Sequence, residues 1–111
     1  MLEDDLKKAI DTFNQKAATD EKLRSEIKGK VRTVLLELSD TESFNFTLKD
    51  DRLGPLGKGV IPNPDIHITT DSATMEALMK REMGPMKALV TKKLKLTKIS
   101  MEDLSTIRKF F

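Results

Sequence analysis

Arg32-Thr33-Val34-Leu35-Leu36-Glu37-Leu38, then Ser39-Asp40-Thr41-Glu42, then Phe44-Asn45-Phe46-Thr47-Leu48-Lys49 is the stretch on which the fold turns. In the first run Val34, Leu36 and Leu38 fall on one side of a strand, with Arg32 at its open end. In the third run Phe44, Phe46 and Leu48 alternate with Asn45, Thr47 and Lys49, the pattern of a half-buried antiparallel strand. The middle run is rich in turn formers. Two period-two runs joined in this way predict a hairpin, and with it a sheet.

On the N-terminal side the period changes to that of a helix. Leu2, Leu6, Ala9, Ile10, Phe13 and Ala17 recur at three- and four-residue steps, with Lys7, Lys8, Asp11 and Gln15 elsewhere. Ala18-Thr19-Asp20 breaks that helix and offers a new N-cap. A short second helix carries Leu23 and Ile27 and ends at Gly29. On the C-terminal side, Asp51 to Pro64 reads as loop, with a brief edge strand at Val60-Ile61 that Pro62 ends. Ile66 and Ile68 alternate with Asp65, His67 and Thr69 as another strand. Asp71 or Ser72 caps a helix bearing Met75, Leu78, Met79 and Met83, and Gly84-Pro85 closes it and opens the next, with Met86, Leu89 and Val90. Leu94 and Leu96 mark a last strand. Ser100-Met101-Glu102-Asp103 resembles a capping box and opens a final helix with Met101, Leu104, Ile107 or Arg108, and Phe111 on one stripe. Grouped strands and grouped helices predict an α+β domain spanning residues 1–111, with helices on one face of the sheet.

Composition excludes several function classes. With 111 residues and a net charge of +2, the chain has the size of one domain and no strong pull toward nucleic acid. It has no Cys and a single His, which leaves no thiolate metal site and no disulfide frame. No apolar run approaches the ~20 residues of a membrane span. The acidic Met1-Leu2-Glu3-Asp4-Asp5 start is unlike a secretory signal, so a cytoplasmic protein is expected.

Catalysis finds no foothold. His67 alternates with Ile66 and Ile68 and is expected on the face opposite the core, a surface histidine. Asp4-Asp5, Asp50-Asp51 and Glu102-Asp103 each have a local role at a helix start or a turn. Gly54-Pro55-Leu56-Gly57-Lys58-Gly59 matches neither the phosphate-loop nor the dinucleotide spacing. The expectation is a non-enzyme with no cofactor and no metal.

Two features remain. From Gly84 to Met101 there is no acid, while Lys87, Lys92, Lys93, Lys95 and Lys98 all fall there. They suit either a sheet edge guarded by lysines or transient docking to an anionic membrane. Nucleic acid is disfavoured, because the chain has no Trp or Tyr platform. Met75, Met79, Met83 and Met86 crowd two successive helices, and methionine adapts to varied apolar surfaces as readily as it fills a core.

From Ser72 to Leu96 the chain resembles the lipid-binding domain of the sterol carrier protein 2 family without a gap. The resemblance is carried by the capped helix with Leu78-Met79, then Met83, Pro85, Lys87 and Ala88, then Lys93-Leu94-Lys95-Leu96. The earlier strands, with Phe44 and Asp65-Ile66-His67-Ile68, and the closing helix from Leu104 to Phe111 follow the family's order. Where that family carries Gly, this chain has Arg81 and Lys92, and Lys98-Ile99 replaces a Gly-containing turn.

The resemblance implies a five-stranded, largely antiparallel sheet and an apolar tunnel between sheet and helices for a sterol, fatty acyl chain or similar lipid. Its strand wall would be Phe46, Leu48, Ile66 and Ile68. Met75, Leu78, Met79, Met83, Met86, Leu89 and Val90 would form the helical wall, and Leu104, Ile107 and Phe111 would close the exit. The competing expectation is a protein-interaction or homo-oligomerisation domain whose apolar helix face meets a partner protein, with a fully packed core.

Overall fold

The structure, a computed structural model, describes residues 2–110. Its elements run α1 (Leu2–Thr19), α2 (Glu21–Ile27), β1 (Arg32–Leu38), β2 (Phe44–Lys49), β3 (Arg52–Leu53), β4 (Gly57–Lys58), β5 (Ile66–Thr70), α3 (Ser72–Met79), α4 (Pro85–Val90), β6 (Lys95–Lys98) and α5 (Met101–Phe110). The strands form one mixed sheet in the order β3-β2-β1-β5-β6, with β4 added beside β2. All pairs are antiparallel except β1 with β5. The α+β class and the largely antiparallel sheet agree with the sequence.

Register converts the alternation into a core. Phe46, Val34 and Ile66 are direct neighbours across β2, β1 and β5, and Phe44, Leu36 and Ile68 make the next row. All six are buried, as are Leu38 and Leu48 on the same face. Helix α1 lies over them and buries Leu6, Ile10, Phe13 and Ala17, the stripe its period dictates. It also touches α2, α3 and α5, and so is the middle of the helical layer. Thr33, Asn45 and His67 fall on the other face. Leu35 is buried among them, outside the core cluster.

Between Asp51 and Pro64 the chain is more ordered than its loop-like composition suggests. Asp50 and Asp51 take positive φ (56° and 62°) and turn β2 straight back into β3, as a two-residue type I′ hairpin demands. Asn14 of α1 then clamps Leu53. Its Nδ2 donates to the Leu53 carbonyl at 2.9 Å, and its Oδ1 accepts from the Leu53 N–H at 2.7 Å. The expected edge strand at Val60-Ile61 is absent; Gly57–Lys58 pairs with β2 instead. Beyond it Gly59 takes φ 101° and turns the chain away from β2 before Val60 can pair.

Both helices of the methionine pair end alike. Arg81 and Lys92 sit just past the caps of α3 and α4 with φ 61° and 63°. The Glu82 and Arg81 N–H groups donate to Ala77 and Leu78, and those of Lys93 and Lys92 donate to Ala88 and Leu89. These are two Schellman motifs, whose left-handed position normally holds Gly. The second also explains why the last strand starts at Lys95 and not near Leu94, since the Leu94 N–H donates to Ala88 and not to a strand.

A left-handed side chain costs roughly 1–2 kcal/mol, while Gly in the unfolded chain returns about 0.4–1 of that. Arg81→Gly and Lys92→Gly are therefore expected each to raise stability by about 0.5–1 kcal/mol in urea unfolding. A loss of stability would show that the long side chains contribute packing worth more than the strain.

Candidate functional site

The core face of the sheet meets α1 and α5 at a cavity walled by Phe13, Val34, Phe46, Leu48, Leu53, Ile66 and Ile107. Each element positions its residue for a local reason. Strand alternation turns Val34, Phe46, Leu48 and Ile66 inward, the Asn14 clamp fixes Leu53, and the α1 stripe presents Phe13. The cavity measures about 20 Å³. That admits roughly one water, against about 300–1,000 Å³ for ordinary ligand pockets. In place of the open tunnel that the resemblance implies, side chains nearly fill this space.

The residues expected to form the walls do not stay together. Phe46, Leu48, Ile66 and Ile107 line the cavity. Ile68, Met75 and Leu78 are buried in the core beyond it, and Met79, Met83 and Leu89 pack half-buried against that core. Leu104 is half-buried on α5, and Phe111 lies outside the described residues. Met86 and Val90 are turned to solvent, 60% and 76% exposed. Helix α4 has only six residues, and the one it buries is Ala88. A small residue in a run of larger apolar ones gave no hint that it would be the inward one. The cavity thus lies under α1 and α5, and not, as expected, under the α3–α4 pair. Phe13 and Val34 were legible as core but not as cavity walls, and Leu53 only becomes available through the Asp50-Asp51 turn.

One rim of the cavity is charged. Arg32 shares the inward face of β1 with Val34, and its Nε donates to Asp103 Oδ2 of α5 at 2.9 Å. Its Nη2 donates to Glu102 Oε1 at 3.1 Å, and Lys30 Nζ stands 3.5 Å from Glu102 and 3.9 Å from Asp103. Asp103 is buried, and its hydrogen bond holds the Arg32 guanidinium even more firmly protonated than usual. Outside the pair a surface groove of about 640 Å³ runs past Asp65, Lys98, Ser100 and Met101 and shares Arg32 and Asp103 with the cavity. The ion pair is therefore the partition between an apolar interior and an open groove. The expectation of a local capping role for Glu102-Asp103 is corrected here. Ser100 Oγ does accept from the Asp103 N–H at 3.3 Å, but the Asp103 carboxylate crosses to Arg32.

The other candidates have structural roles. His67 lies on the face away from the core, and its Nε2 is 2.9 Å from Glu37 Oε1. Lys58, within the glycine-rich loop, belongs to β4 and pairs with Glu3 at 3.0 Å. Lys87, Lys92, Lys93, Lys95 and Lys98 are all exposed, and none makes an ion pair among the described residues.

Comparison with known proteins gives this geometry its family. The profile of the SCP-2 sterol transfer family matches residues 6–103. The chain belongs to that family. No curated protein matches by sequence. Among solved structures, apo sterol carrier protein 2 from Yarrowia lipolytica is 24% identical, with 97% of this chain and 87% of that one covered and a TM-score of 0.58. Palmitated SCP2L2 from Aedes aegypti is 19% identical, with 91% and 87% covered and a TM-score of 0.58. The sec-alkylsulfatase Pisa1 from Pseudomonas sp. is 18% identical over 78% of this chain, with a TM-score of 0.62, and the chain spans only 13% of that enzyme's length. At these identities the likeness speaks for the SCP-2 fold.

Proposed function

We propose that this chain binds an apolar ligand, a sterol, fatty acyl chain or similar lipid, and passes it on without chemistry. The observation that carries the proposal is the cavity between the sheet and helices α1 and α5, walled by apolar side chains in a domain of the SCP-2 sterol transfer family. A palmitated relative of the same fold supports an acyl chain as one occupant. Among the described residues the cavity offers apolar burial, the Arg32–Asp103 ion pair and Thr106.

Magnitudes favour reversible loading. Burying an acyl chain of about sixteen carbons yields on the order of 13 kcal/mol at ~0.8 per methylene. Association offsets ~4–15 kcal/mol of it. With about 20 Å³ open in the absence of ligand, side chains and α5 must also give way, which lowers the net further. A modest affinity is what a carrier needs.

The same small cavity favours a second reading, an interaction or homo-oligomerisation domain with a packed core. Uptake distinguishes them. A fluorescent acyl probe should bind the purified protein saturably and be displaced by palmitate or a sterol, and organic extraction of protein from cells should release lipid. A folded protein that shows neither is not a carrier, and concentration-dependent self-association would then support the second reading.

A further inference from the structure

Helix α4 presents two exposed apolar side chains beside a run of lysines. Met86 and Val90 are one helical turn apart on one side of it, 60% and 76% exposed. Lys87 lies between them in sequence, and Lys92, Lys93, Lys95 and Lys98 follow, all exposed and without ion-pair partners among the described residues. From Gly84 to Met101 the chain has no acid; the nearest before it is Glu82. No helix among the described residues is long and apolar enough to cross a membrane, so any bilayer contact made by a helix here is peripheral.

We propose that the α4 face, with Met86 and Val90 and the lysines that adjoin them in sequence, Lys87, Lys92 and Lys93, docks on an anionic lipid bilayer and inserts those two apolar side chains among the headgroups. Charge selects the occupant. A protein partner or a second copy of the chain would have to bring carboxylates to the lysines, whereas an anionic leaflet presents negative charge around any point of insertion. The Schellman turn at Lys92 reverses the chain just after Val90, and this brings Lys92 and Lys93 back beside the helix end instead of carrying them away. An amphipathic surface with Lys beside the apolar side chains fits the interface plane of a membrane. The proposal rests on the carrier reading for its use, since docking brings the protein to the lipid it loads.

The chain contains no Trp or Tyr, so Val90→Trp supplies a single reporter at the proposed insertion point. Val60→Trp, at another exposed apolar position between β4 and β5, is the control. With phosphatidylcholine/phosphatidylglycerol vesicles the Val90→Trp emission should shift to the blue, and the shift should fade with salt. It should be absent with phosphatidylcholine alone and for Val60→Trp. In co-sedimentation, Lys92→Gln/Lys93→Gln should lower partitioning roughly fivefold per lysine removed.

Vesicle binding without a shift at residue 90, equal shifts at both positions, or no binding at all overturns the proposal. So does a shift that grows with protein concentration in the absence of vesicles, which would identify a second copy as the occupant. Uptake of an acyl probe delivered from cyclodextrin, without vesicles, is measured on the same protein. If docking fails while uptake persists, only the docking proposal falls; the reverse removes only the carrier reading.

Discussion

Arg32→Met lowers the unfolding free energy by about 3–4 kcal/mol, the cost of stranding a buried charge. Asp103 is 4% exposed, and Arg32 donates its shortest bond, 2.9 Å from Nε. Lys30, at 3.9 Å from the Asp103 carboxylate, is too far to replace that bond. The reciprocal change is milder. In Asp103→Asn the guanidinium keeps Glu102 at 3.1 Å, and its side chain is 26% exposed, so water takes over part of the lost partner. About 1–2 kcal/mol is expected there, the worth of a charge-assisted hydrogen bond at a partly wet site. The double change Arg32→Met/Asp103→Leu removes both charges from the rim and should recover most of the loss, because desolvating a pair roughly cancels its attraction. Urea unfolding of the four proteins measures all three values. If Arg32→Met costs no more than Asp103→Asn, the Asp103 carboxylate reaches water and the partition described above is open.

That pair also marks the limit of what the sequence discloses. Arg32 was visible at the end of a strand, on the Val34 side, and Asp103 at the start of a helix. Nothing local joins residues 71 positions apart; only docking of α5 across the open end of β1 does so. The hairpin, by contrast, was legible because alternation encodes one face directly, and Phe44, Phe46 and Leu48 are buried as read. The same logic found β5 and the α1 stripe. It failed for β3, where the signal was not hydrophobic: two adjacent aspartates tolerating positive φ make the turn. It failed again on α4, where Met, Leu and Val outweighed Ala in hydrophobicity while Ala88 had the shape that fits against the core. The glycines missing at Arg81 and Lys92 were noticed as departures. Their meaning, a left-handed backbone kept without the residue that favours it, required the dihedral angles.

Shortening Phe13 tests the cavity itself. Phe13 is 3% exposed and faces the space that Phe46, Ile66 and Ile107 also border. Phe13→Ala should cost about 3–5 kcal/mol without ligand, through lost burial and an enlarged void. Leu23→Ala is the matched control. Leu23 is fully buried on α2 and does not line the cavity, and its loss should cost about 2–5 kcal/mol. Ligand separates the two. Palmitate at about a hundred times its dissociation constant stabilises any competent protein by ~2.7 kcal/mol. In Phe13→Ala the tail enters space already vacated and need not displace an aromatic ring, so affinity rises and the gain at fixed palmitate exceeds that of the unaltered chain. Leu23→Ala should gain only what the unaltered chain gains. Thermal melts of the three proteins with and without palmitate give the comparison directly. An equal ligand-induced shift in Phe13→Ala and Leu23→Ala would place the acyl chain somewhere other than beneath α1 and α5.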